Sequence, residues 1–335
     1  MLSGEDVRLA VLNPSGRDPE QHFSGEQRAS ATLHAPVNFH AYAACTRGAV
    51  FRETKRAIST GWPVLLLLRG DFRATERALV ELKKAQRPVA VAFKETGMHQ
   101  IAQQLREPGR FGRFLKIVRG ADGFIASTRH VANLVRAVRP EPVVFIPTPC
   151  PVDDDDWNWS AENRAGIFVG TREFDVPSRN HFAAMLAAKN LSDETKEPVT
   201  VFNLDRRRGA RLISQMGFRR IRVHDKRVGY RAYLGEVARH KIIFQLDRSR
   251  VPGQVAGDAL LCRSVCVGGD GATDTIAFPE TCGEHRSTQE LVEIARRLLS
   301  NDEERRAIAA RANSIALEKL SFRAGREKLA AFFSR

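Results

Sequence analysis

The chain reads as an α/β protein built from two Rossmann-like domains. Three observations predict this. Short apolar runs alternate with helical patterns along all 335 residues. The runs are continuous rather than alternating, as in strands covered on both faces. A proline- and aspartate-rich break near residue 150 then interrupts the alternation before it restarts. A chain of this length exceeds one ordinary core and suits two.

In the first half the expected strands are 7–12, 64–68, 89–93, 123–126 and 143–146, with helices at 75–86 and 129–138. The segment PTPCPVDDDDWNWSAENR has no periodicity and reads as a connection between domains. Strands follow at 166–169, 199–203, 221–224, 242–246 and 265–267. Helices are expected at 180–188, 230–239, 254–261 and 289–299, and the tail is helical at 303–320 and 324–333. The resulting division is a first domain at 1–150, a linker at 151–165, a second domain at 166–318 and a closing helix at 319–335. Such domains are expected to face each other across a cleft, with the C-terminal helices crossing back.

Composition narrows the function class. At 43% hydrophobic and 27% charged residues, the chain is globular rather than disordered or fibrous. The longest purely apolar run, Val64 to Leu68, is far short of the roughly 20 residues of a membrane helix. The opening MLSGEDVRLAVL carries charges ahead of a short apolar run and reads as a lead-in to a strand, so a cytoplasmic location is expected. The five cysteines are irregularly spaced. Cys262 and Cys266 lie in the apolar stretch ALLCRSVCV with no second pair at zinc spacing, and they read as buried thiols. No metal is expected, and the aspartate run reads as solvated surface.

The net charge of +14 concentrates in residues 1–150, which hold 22 basic and 13 acidic side chains. The excess predicts an anionic partner: nucleic acid, a phospholipid surface, or an acidic or phosphorylated substrate. The segment REPGRFGRFLKIVRG interleaves five cations with Phe111, Phe114, Leu115, Ile117 and Val118. It reads either as a core helix or as an interfacial helix against anionic lipid. The second reading would suit peripheral membrane contact at the inner face and a lipid-linked acceptor.

Ligands of open α/β sheets bind beyond the carboxyl ends of the strands, so the loops there carry the chemistry. In GIFVGTREFDVPSRNH, Gly170 permits close backbone approach, and Arg172 and Arg179 flank a turn. Two guanidiniums beside a glycine turn suit a diphosphate. In KIIFQLDRSRVPGQVAGDALLCRSVCVGGDG a helix begins near Gln254, and its first amides, at Gly253, Gln254 and Val255, form an anion site. Asp258 lies about one turn further, where a carboxylate could accept ribose hydroxyls. In the first domain Ser15, Gly16 and Arg17 follow the first strand. Glu95, His99 and His40 are alternative proton acceptors on strand-end loops.

The order of these pieces resembles a known family. VGTREFDVPSRNH is similar to the Gly-Arg…Lys-Asn/Gly segment opening the donor domain of retaining GT-B glycosyltransferases of the large family-four (glycosyl transferases group 1) type. RSRVPGQVAGDALLCRSVCVGG resembles their Glu-x7-Glu segment, and ADGFIASTRHVANLVRA…PVVFIPTPCPVD resembles their passage into the hinge. The likeness covers roughly residues 120–320. Arg250 stands where the family has the first acid, Asp258 replaces the second, and Arg179 stands where Lys is common.

The resemblance implies a glycosyltransferase that takes a nucleotide-sugar as donor substrate, without a separate cofactor or metal, in polysaccharide or glycoconjugate biosynthesis. Arg172, Arg179 and the Gly253, Gln254 and Val255 amides would hold the diphosphate. Asp258 would meet the ribose, the base would lie near Val223 and His224, and Glu95, His99 and Arg250 would serve the reaction. Two alternatives stay open: a sugar-nucleotide epimerase or inactive relative with the same shape, and a basic nucleic-acid-binding protein. The second would need a helical or aromatic RNA module, and the sequence contains none that is recognisable.

Overall fold

The computed structural model describes residues 7–23, 34–94, 97–139 and 141–335. They form two compact units, Met1–Asp153 with Lys319–Arg335, and Asp154–Glu318.

The first unit holds seven strands: β1 (Ala10–Leu12), β2 (Gln21–His22), β3 (Ala49–Phe51), β4 (Val64–Leu68), β5 (Val89–Phe93), β6 (Gly123–Ala126) and β7 (Val143–Phe145). Their order is β2-β3-β1-β4-β5-β6-β7, parallel except for the β2–β3 pair. Every side chain of β4 and β5 is buried, because helices cover both faces of the central strands. Helix Arg73–Lys84 presents Ala78, Leu79 and Leu82 to one layer, and Thr75 Oγ1 donates to Leu67 O at 3.0 Å. On the other face Leu329 and Phe332 of helix Phe322–Phe333 pack with Val11, Leu65 and Leu67. Ser321 and Asp153 cap that helix. The carboxylate of Asp153 accepts from the N–H groups of Phe322 and Arg323, so the aspartate run begins as a cap.

Strands β2 and β3 were not expected. They are two and three residues long, too short to carry a period. The first strand also pairs only from Ala10, although Val7 and Leu9 are buried. The basic segment forms helix Pro108–Gly120, in which Phe114, Ile117 and Val118 are core and Phe111 is exposed. Arg113 and Lys116 both reach Glu76. No helix among the described residues is long and apolar enough to cross a membrane.

The second unit holds β8 (Ile167–Val169), β9 (Val199–Phe202), β10 (Ile221–His224), β11 (Ile242–Phe244) and β12 (Val265–Val267). All are parallel, in the order β10-β9-β8-β11-β12. Four strands are wholly buried, while edge strand β10 exposes Arg222. Helix His181–Thr195 packs Ala184, Met185, Ala188 and Leu191 into one core layer with Leu291, Ala295 and Leu298 of helix Thr288–Ser300. A capping box at Ser287 and Glu290 starts the latter helix. All five cysteines are buried, as the apolar context of Cys262 and Cys266 predicted for those two.

Candidate functional site

The chain passes from β8 outward to β9 and β10, then returns to place β11 on the other side of β8. Loops leaving the carboxyl ends of β8 and β11 therefore run in opposite directions and open a crevice at the reversal, the usual binding place in such sheets. Gly170, Arg172 and Arg179 follow β8, and Arg250, Gly253 and Gln254 follow β11. The fold thus brings these predicted residues to the ends of two adjacent strands.

Gly170 lets helix Gln254–Leu261 close onto the end of β8. A Cβ there would stand 2.2 Å from Val255 Cγ1. The next residues are stitched to the β11 loop. Ser178 and Ser249 share a hydroxyl bond of 2.7 Å, Arg248 N donates to Ser178 O at 2.8 Å, and Asn180 Nδ2 donates to Leu246 O at 3.0 Å. Asn180 takes a left-handed conformation (φ 48°) that Asn tolerates, and helix His181–Thr195 starts from it. Arg179 Nη1 meets Asp247 Oδ2 at 3.3 Å, while its buried Nε has no partner among the described residues. His181 is buried and shares a 2.9 Å bond between Nδ1 and Thr171 Oγ1. Burial lowers its pKa to about 4.

Gly253, at φ +93°, starts helix Gln254–Leu261. The first amides of a helix lack intrahelical partners and face outward as anion donors. Behind this turn lies Asp274, 1% exposed. A Cβ on Gly253 would stand 2.7 Å from its Oδ2, and Cβ atoms on Gly269 and Gly271 would lie 2.3 and 2.5 Å from its oxygens. Glycines are required around this carboxylate because any side chain would displace it. Gln245 Nε2 donates to Asp274 Oδ1 at 2.7 Å. Burial, reinforced by Asp247 and Asp270, pushes the Asp274 pKa up to about 8.

Asp258 is not presented to solvent as the sequence suggested. It is 1% exposed and accepts from Tyr230 OH at 2.6 Å, Tyr233 OH at 3.0 Å and Gln254 Nε2 at 2.6 Å. Helix Gln254–Leu261 is buried on nearly all sides, so its fifth residue points inward. Burial raises the Asp258 pKa against these hydrogen bonds and the pull of Arg172. Gln254 and Tyr230 also bond each other at 3.0 Å. The Arg172 guanidinium lies 5.1 Å above the Tyr233 ring. Burial opposes its charge, but Tyr233, Asp258 and Glu173 attract it and raise its pKa.

His224 ends β10, two strands from β8, roughly 10 Å at the ordinary strand spacing. Its ring stacks on Phe202 at 4.6 Å and meets Glu236 at 3.5 Å. Arg250 is exposed in a left-handed conformation (φ 51°), and its N–H donates to Asp270 Oδ1 at 2.8 Å.

In the first unit, Glu95 lies outside the described residues. His99 is exposed on helix Met98–Leu105. His40 is 5% exposed, and burial, with His34 adding, lowers its pKa to about 4. Gly16 folds back on Asn13, its N–H donating to Asn13 O at 2.9 Å.

Sequence reasoning missed Asp247, Gln245, Asp274, His181, Tyr230 and Tyr233. The tyrosines carried one usable signal: they are two of only three in the chain, spaced i, i+3 on one helix.

No sequence family matches the chain, and no curated protein matches it. Solved structures do. Alr3699/HepE of Anabaena, determined in complex with UDP, aligns over 98% of this chain and 100% of its own, with TM-score 0.65 and 13% identity. A UDP-forming α,α-trehalose-phosphate synthase from Burkholderia xenovorans aligns over 98% and 99%, with TM-score 0.64 and 11% identity. A glycosyltransferase from Rickettsia africae aligns over 84% and 78%, with TM-score 0.58 and 14% identity. The chain has the GT-B fold, with both Rossmann-like units that the sequence predicted.

Proposed function

We propose that this protein is a glycosyltransferase that moves a sugar from a nucleotide-sugar donor to an acceptor hydroxyl. The supporting observation is the junction of the β8 and β11 loops. There Arg179, with a buried N–H that has no partner among the described residues, shares one hydrogen-bonded unit with the loop that leads to the N-terminus of helix Gln254–Leu261. Similarity to one structure described as a glycosyltransferase and to another determined in complex with UDP agrees with it.

In this reading Arg172, Arg179 and the Gln254 and Val255 amides hold the diphosphate, and Arg250 adds a cation from the β11 loop. The bond between the anomeric carbon and the diphosphate breaks, and the electron pair leaves on the diphosphate. The acceptor oxygen makes the new bond and gives up its proton, for which Glu95 and His99 are the proposed bases. Fixed cations supply the charge neutralisation that the departing group requires, so a metal is not needed for that step. Each such preorganised donor contributes on the order of 3 kcal/mol. Gln254 and Tyr230, rather than Asp258 directly, meet the ribose, and Asp258 holds them in place. The base lies toward His224.

Melting temperature against UDP, GDP, CDP, ADP and dTDP tests this reading. A nucleotide at 100 times its dissociation constant stabilises the fold by about 2.7 kcal/mol. One nucleotide should raise the midpoint, and Arg179→Ala should abolish the rise. No rise with any of the five sinks the reading.

A further inference from the structure

A second cationic pocket lies at the opposite end of the second unit's sheet, where no sequence feature pointed. It is a cavity of about 520 Å³, within the range of small-molecule sites, and most of its polar groups are cationic. Arg164 lies three residues before β8, Lys241 immediately before β11, and Ser264 immediately before β12. The pocket therefore belongs to the amino ends of the strands, and the donor loops belong to the carboxyl ends.

Five cations line it, Arg164, Lys241, Arg263, Arg305 and Arg306, against the carboxylates of Glu162 and Asp302. Lys241 is matched by Glu197 at 2.7 Å, and Arg305 by Asp302 at 2.8 Å. Arg164 and Arg263 are held by neutral oxygens instead. Arg164 Nη2 donates to Cys262 O at 2.7 Å and its Nε to Ala161 O at 3.3 Å, while Arg263 Nε donates to Asn158 Oδ1 at 3.0 Å. These contacts orient the guanidiniums without neutralising them. Burial lowers the Arg164 pKa, and the like charge of Arg305 adds to the effect. Like charges gathered in one concave pocket cost free energy until an anion joins them.

We propose that this pocket binds a phosphate dianion, free or as the phosphoryl group of a small phosphomonoester. Guanidiniums suit phosphate oxygens because their paired N–H groups make two parallel bonds. The volume beyond the phosphoryl group leaves space for a sugar-sized remainder. The site is separate from the proposed diphosphate site and does not depend on the transferase reading.

The test is calorimetric titration of the full chain with inorganic phosphate and with glucose 6-phosphate at constant ionic strength. Saturable binding should persist in Arg179→Ala and weaken at least tenfold in the Arg164→Gln/Arg263→Gln double variant. Arg306→Glu provides a second readout should the double variant not fold. Arg306 is exposed, with its ion pair to Asp302 at 3.9 Å, and reversing its charge should weaken binding several-fold. Tighter binding of glucose 6-phosphate supports a phosphomonoester, and equal binding supports free phosphate. The proposal fails if neither probe gives saturable heat, or if binding is lost in Arg179→Ala and kept in the pocket variants.

Discussion

A Cβ placed on Gly170 would stand 2.2 Å from Val255 Cγ1, so the end of β8 and the start of helix Gln254–Leu261 touch through a glycine. Gly170 is not among the glycines at positive φ, so the constraint is contact rather than backbone strain. Gly170→Ala should displace the helix, cost roughly 1–3 kcal/mol by overpacking, and weaken nucleotide binding. Val255→Ala in the same chain should restore most of both losses. A double-mutant cycle by urea unfolding measures this, and additive losses would show that the contact is not the cause.

Asp274 makes stability fall as pH rises from about 4 to 8. Its pKa is about 8 in the fold and 3.8 as an isolated side chain. The unfolded chain gives up this proton first as pH rises, so the contribution is full below pH 4, declines between about 4 and 8, and is constant above. The slope for one proton is at most about 1.4 kcal/mol per pH unit. Asp274→Asn keeps an oxygen for Gln245 and removes the charge. It should flatten the fall in melting temperature between pH 6.5 and 8.

Buried histidines act at the acid side with the opposite sign. His181 and His40 have pKa values of about 4 in the fold, against 6.5 unperturbed. The unfolded chain takes up their protons first as pH falls, so stability is present above pH 6.5 and lost toward pH 4. Each contributes roughly 3 kcal/mol across that window. His181→Gln should reduce the acid slope by about half of their joint contribution, as read from denaturant midpoints at pH 4.5, 5.5 and 6.5.

The Asp258 network predicts a split between stability and binding. Tyr233 is 5% exposed, so Tyr233→Phe should cost about 1–2 kcal/mol by removing a donor to a buried carboxylate. Tyr230→Phe should cost less stability, because Tyr230 is partly exposed, and more nucleotide affinity, because it orients Gln254. Equal effects of the two changes on nucleotide affinity would contradict the assignment of Tyr230 to the ribose side.

Much of the second unit was legible in sequence because its strands are short apolar runs with helices between them. The runs at 221–224 and 265–267 and the helix at 254–261 coincide with the observed elements. Gly170, Arg179 and Gly253 were legible as loop residues because glycine and arginine have few roles at strand ends. Strands β2 and β3, helix Arg206–Gln215 and helix Ala272–Ala277 were not. The strands are too short for a period, and Arg206–Gln215 is mostly polar.

The inward turn of Asp258 also could not be read, because a carboxylate one turn into a helix faces solvent or core according to what packs on that helix. By itself the sequence determined the α/β class, the repeated layering and the positions of the cations, since hydrophobic periodicity and charge are local properties. Tertiary structure decided which of those cations meet, which carboxylates lie buried behind them, and where the strand order reverses. Those outcomes depend on strand neighbours distant in sequence, and so on the packing free energy of the whole unit.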